Sequence, residues 1–229
     1  MLNYWQTLWS SLDWHWQLSD VLAAVTWLVW LVIVWPKDDV YQLKGNAGLR
    51  QRLWGGTLVI FGLWALDASI HPQLHLHFLA LTTCMLMFGW RLATFALIIP
   101  SLMFSLLVLE QPWQFFAYSL VGVCLPLWFS FVLYHRCFHL LPHHLFIYIF
   151  CGAFLNSALT ILVHMLLWSG WLLLSSDIPL SDIIDNYLLV APLLMFPEAL
   201  LNGMVITLIV VYRPQWLYDY CDRTYLWQK

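Results

Sequence analysis

The chain has 229 residues, 62% of them hydrophobic and 9% charged, with a mean hydropathy of +0.78. A soluble domain carries about 25% charged residues, so nine Lys and Arg with twelve Asp and Glu cannot clothe this length for water, and the solvent must be lipid. That balance, with a formal net charge of -3, excludes a secreted disulfide scaffold, an ordinary cytosolic enzyme and, for want of a basic face, a nucleic-acid binder.

The first segment, Met1–Trp16, has no basic n-region and no small-residue cleavage site, so it does not read as a signal peptide. Trp5, Trp9, Trp14 and Trp16 predict instead an interfacial helix over residues 1–18, lying in the outer headgroup layer. Charge-free runs then mark the spans, each needing roughly 20 apolar residues. Allowing one embedded acid to interrupt a helix, seven spans are predicted, at about 20–35, 53–70, 76–90, 92–109, 113–134, 145–172 and 187–212. The runs are continuous rather than alternating, which argues against a β-barrel. The expected fold is therefore an all-α integral membrane bundle forming one polytopic domain over 1–229, with a tail at 213–229.

Threading seven spans puts Lys37, Lys44, Arg50, Arg52, Arg91, Arg136, Arg213, Arg223 and Lys229, every basic residue in the chain, on one side. Positive charge marks the cytoplasmic side, so the N-terminus is expected outside and the C-terminus inside. The outer loops hold Asp13, Asp20, Glu110, Asp177, Asp182 and Asp185 without a compensating base. Cys84, Cys124 and Cys151 fall within spans, and Cys137 and Cys221 face the reducing side, so five cysteines make no disulfide framework.

Ionisable groups inside a bilayer are expensive and mark function. An outer set begins with Asp67, with His71 at i+4 if the second helix continues past it, and Pro72 ending that helix. His75 and His77 follow at the mouth of the third span, His164 lies within the sixth and Glu198 within the seventh. Imidazoles with carboxylates suit a divalent transition metal such as nickel, cobalt, copper or zinc, although His71-x-x-x-His75-x-His77 fits no strict metal box. Glu198, directly after Pro197, has a competing role: pairing with Asn202 one turn on, or capping backbone groups freed by the proline. An inner set, His135, His139, His143 and His144, superficially matches the histidine boxes of membrane di-iron enzymes. It offers four imidazoles where such enzymes need about eight from several boxes on one membrane side, and reads more readily as a polar interfacial loop.

From about His71 onward the chain resembles the membrane S components of energy-coupling factor transporters for cobalt and nickel, the CbiM/NikM type, and a divergent bacterial branch of energy-coupling factor ABC transporter permeases. Two stretches carry the likeness. Leu76-His-Phe-Leu-Ala-Leu-Thr-Thr-Cys-Met-Leu-Met-Phe-Gly-Trp90 is similar to the family's His-led helix ending in Phe-Gly-Pro, with His77 at the metal-binding histidine. Phe196-Pro-Glu-Ala-Leu-Leu-Asn-Gly-Met-Val-Ile-Thr207 is similar to the last-helix Ala-Glu-Gly segment, with Glu198 at its acid. Two departures stand out. Leu2 replaces the His whose side chain, with the terminal amine, supplies much of the family's metal site, and Phe78-Leu-Ala-Leu81 replaces a Gly-rich run.

The resemblance implies a substrate-capturing permease in a bacterial inner membrane, working with a membrane coupling subunit and cytoplasmic ATPases. The chain contains no Gly-x-x-x-x-Gly-Lys-Ser/Thr phosphate loop, so ATP chemistry would come from a partner. The expected metal-facing residues are His77, His75, His71, Asp67, Glu198 and His164. The sequence names no cofactor, and the cargo these residues suit is a transition-metal ion, nickel, cobalt, copper or zinc. Two alternatives come from other classes: a histidine-dependent membrane metalloenzyme built on the inner set, and a non-transporting structural or assembly subunit of a membrane complex.

Overall fold

A computed structural model of the chain describes residues 18–68, 74–176, 178–221 and 225. The tryptophan-rich segment Met1–Trp16 and His71 lie outside them. Among the described residues the fold is helical, without a strand: α1 Leu18–Ile33, α2 Lys37–Gly45, α3 Ala47–Trp64, α4 Leu81–Phe88, α5 Trp90–Leu107, α6 Gln114–Leu140, α7 Leu145–Ser175 and α8 Leu180–Tyr212. Helices α5, α6, α7 and α8 are each long and apolar enough to cross a membrane, and α1 with α2, bent by 69°, makes a fifth if taken as one span.

Local sequence explains the joints. Pro36, which lacks an N–H, stands between α1 and α2 and caps the latter. Asp38 and Asp39 open α2 and Lys44 closes it, matching the helix dipole. Asn46 then accepts from Leu49 N–H at 3.0 Å to start α3, while Arg50 donates to the carbonyls of Leu43 and Lys44, both at 3.0 Å, so the last carbonyls of α2 are satisfied. Between α4 and α5 the chain turns at Gly89, with φ of +76°. A Cβ there would sit 3.3 Å from the ring of Tyr218, whose N–H bonds Leu86 O at 2.9 Å.

The long helices follow the charge-free runs closely, but two expected elements differ. The second helix stops at Trp64, so Asp67 stands in the loop beyond it and not on a helical face shared with residue 71. The expected third span at 76–90 is an extended stretch through Ala80 followed by the eight residues of α4. A non-helical backbone survives at such depth only when buried in protein and hydrogen-bonded; side chains far off in sequence supply those bonds here.

Helix α7 is central, packing on α6, α8 and α4. Trp64, Phe104, Tyr118, Leu127, Ile161, Met165 and Trp168 fill the interior, while Leu18, Val32, Leu58, Leu174, Leu193 and Met204 point outward. Apolar side chains thus occur both inside and outside, as lipid solvent permits. A polar seam runs between helices within the bundle: Thr82 and Ser130 hydroxyls meet at 3.0 Å, and Asn156 donates to Ser130 O at 3.0 Å. Near the other edge, Trp27 Nε1 donates to Ser119 Oγ at 2.9 Å and ties α1 to α6.

Candidate functional site

The extended segment entering α4 delivers the outer histidines into the bundle. His75 Nδ1 lies 2.6 Å from Asp67 Oδ2, and the other Asp67 oxygen is buried without a hydrogen-bond partner among the described residues. His77 is 4% exposed. Its Nδ1 reaches the Phe78 carbonyl at 3.3 Å and its Nε2 lies 2.8 Å from the Tyr118 hydroxyl. A carbonyl only accepts, so Nδ1 carries the proton and Tyr118 donates to Nε2.

His164 reaches the same region from α7. Its Nδ1 donates to the Gly122 carbonyl at 2.6 Å. That carbonyl is open because residue 126 is proline, and so the N–H that would close an α-helical turn onto Gly122 is missing. Gly122 lies in a π-helical stretch, Tyr118–Cys124, of the kind often found at functional sites. With Nδ1 protonated, His164 keeps a lone pair on Nε2. The His77 and His164 ring centres are 6.1 Å apart, within an aromatic wall of Trp64, Phe104, Tyr118 and Trp168.

Glu198 has a different position. Its carboxylate accepts from the N–H groups of Leu79 at 3.0 Å and Ala80 at 2.8 Å, and from Asn202 Nδ2 at 2.8 Å. Asn202 Oδ1 in turn accepts from Thr83 N–H at 3.0 Å and Thr83 Oγ1 at 2.7 Å. Together these two side chains of α8 satisfy the amides of Leu79, Ala80 and Thr83 at the entry to α4. They hold Ala80 at a left-handed φ of 53°, a conformation that costs an alanine about 1–3 kcal/mol elsewhere.

The outer residues expected from sequence therefore divide. Asp67, His75, His77 and His164 gather at one polar region. Glu198 touches the backbone beside His77 and positions it, as the pairing with Asn202 anticipated. Among the described residues no three His, Cys, Asp or Glu side chains converge closely enough to hold an ion. The same holds for the inner histidines: His144 caps α7 by accepting from Phe146 N–H at 3.2 Å, His143 packs on Phe138, and His135 stacks edge-on to His139. The five cysteines are free thiols. Tyr118 was not anticipated; one tyrosine among ten carries no distinguishing signal.

The sequence matches the family model for the cobalt uptake substrate-specific transmembrane region, CbiM, over residues 12–216. The chain belongs to the CbiM family. Membership makes it a multi-pass membrane component of metal uptake. A solved structure described as "Crystal Structure of an Truncated Transition metal Transporter" superposes with a TM-score of 0.68 at 12% identity, covering 85% of this chain and 94% of that one, and so shares the CbiM-type fold. No curated protein matches the sequence.

Replacing Glu198 by Ala strands two buried amides, each worth about 1–3 kcal/mol. The expected result is a clearly lower melting temperature in detergent with faster hydrogen exchange at Leu79 and Ala80, and Glu198→Gln falls between. Exchange unchanged in both variants would refute the capping role.

Proposed function

We propose that this CbiM-family chain is the substrate-capturing component of an energy-coupling-factor-like ABC importer for a divalent transition-metal ion. The observation that carries this reading is the orientation of three imidazoles. His77 and His164 each engage a carbonyl through Nδ1, and His75 engages the Asp67 carboxylate. A metal-ligating histidine characteristically has its other nitrogen fixed in this way, which sets the tautomer and raises the basicity of the ligating nitrogen. Rotation of the Tyr118 hydroxyl off His77 would open Nε2 toward an ion shared with His164. Groups outside the described residues, His71 among them, or water would complete its shell.

In this mechanism the ion arrives from the outer side, where Asp67 contributes charge and the aromatic wall excludes bulk water. Glu198 and Asn202 keep His77 in register by holding the start of α4. A membrane coupling subunit then reorients the bundle, and cytoplasmic ATPases supply the energy. In a bacterial inner membrane, the reading has seven passes, counting α3 and the extended stretch with α4, with the N-terminus out and the basic end in the cytoplasm.

Two measurements test this. In cells carrying the chain with its coupling subunit and ATPases, labelled cobalt or nickel should accumulate, and His77→Ala or His164→Ala should reduce uptake about tenfold, the equivalent of one lost ligand contact. Equal uptake by folded variants would overturn the proposed site. A variant keeping only Cys221, which is exposed, should react with an impermeant thiol reagent in inverted vesicles and not in intact cells. Labelling from outside would reverse the topology.

A further inference from the structure

Two cavities adjoin at the basic end of the bundle and share Arg52, Met87, Phe88 and Trp216. The larger, about 910 Å³, is an apolar groove between α3, α4 and α8, walled by residues such as Gly55, Val59, Val205 and Leu208. The smaller, about 470 Å³, is polar and bounded by Asp39, Gln42, Asn46, Tyr218 and Asp219. Among the described residues, Arg52 is the basic side chain lining both. Its Nε donates to Gly48 O at 3.1 Å, its Nη1 reaches Gln215 O at 3.5 Å, and its guanidinium lies 5.6 Å from the centre of the Trp216 ring. A guanidinium has five N–H donors, and these bonds engage two while fixing the group where the cavities meet. Beyond it, Asp39 is 8% exposed and accepts from the Tyr218 hydroxyl at 3.3 Å.

The order of chemistry along this path is apolar groove, then cation, then carboxylates. A phospholipid with an ammonium headgroup has the complementary order: acyl chains, phosphate, then ammonium. We propose that the two cavities form a binding site for one such lipid of the phosphatidylethanolamine class, with its chains in the groove, its phosphate on Arg52 and its ammonium toward Asp39 and Asp219. An anionic lipid without the amine would bring a phosphate and no cation to the two carboxylates. An apolar helix of a partner would fill the groove but leave the polar cavity unmatched.

The test uses the full chain, equilibrated in mixed micelles of phosphatidylethanolamine, phosphatidylglycerol and phosphatidylcholine in equal amounts, then washed with detergent and assayed for retained lipid by mass spectrometry. Phosphatidylethanolamine should be retained over both others, because N-methylation removes the ammonium donors and phosphatidylglycerol has none. Arg52→Gln should lower retention about tenfold, in line with loss of one charge-assisted contact. Asp39→Asn with Asp219→Asn should erase the preference over phosphatidylglycerol. Gly55→Leu, at a position where an added Cβ meets nothing within 4 Å, should obstruct the groove and displace the lipid at unchanged melting temperature. Retention of the three lipids in equal proportion, or retention indifferent to Arg52→Gln and Gly55→Leu, would overturn the assignment. So would equal lipid retention together with loss of the coupling subunit from Gly55→Leu, the outcome expected for a partner helix.

Discussion

The arrangement of this bundle depends on the carboxylate of Glu198 meeting the amides of Leu79 and Ala80. In lipid, every buried backbone polar group must find a partner within the protein, and an extended segment beside the core is permitted only on that condition. Three carbonyls of the segment are met as well: Ala68 N–H bonds Leu76 O at 2.9 Å, His77 engages Phe78 O, and Trp64 Nε1 donates to Leu79 O at 3.2 Å. The consequence is functional. A continuous helix through residues 75–80 would distribute its side chains around an axis, whereas the extended stretch brings His75 and His77 together against α5, α6 and α7.

A second departure from regular geometry serves the same region. Pro126 leaves the Gly122 carbonyl without its α-helical donor, and His164 occupies the vacancy. Gly122 is also a position where side-chain bulk is poorly tolerated, since a Cβ there would come within 3.1 Å of Tyr118 and 3.4 Å of His164. The proline and the glycine, four residues apart on α6, thereby fix the tautomer of one histidine and leave room for the hydroxyl that holds the other. Both irregularities are intrahelical features whose effects appear only when α6 meets α7 and the segment before α4.

Much of the architecture was legible because lipid imposes simple rules. Charge-free length located the long helices with ends displaced by up to seven residues, and the scarcity of charge identified the solvent. The stretch from Leu76 to Trp90 defeated those rules, since an apolar run reads alike as a helix or as an extended segment buried on all sides. What decides between them is Glu198 and Asn202, more than a hundred residues away. Asp67, His75, His77 and His164 were legible as polar groups where polarity is costly. Glu198 was legible as an acid where an acid is costly, but which groups it meets, the amides of Leu79 and Ala80, appears only in the fold. Tyr118 and the Gly122 carbonyl became visible only through their partners.

In the proposed mechanism His77 and His164 share a metal ion inside a CbiM-type fold. X-ray absorption at the cobalt edge, on protein loaded with cobalt in mild detergent, tests it most directly. A shared ion should give the multiple-scattering signature of imidazole from about two rings, with one lost in His77→Ala and one in His164→Ala. A shell of oxygen donors alone, or an imidazole signal untouched by either substitution, would contradict it.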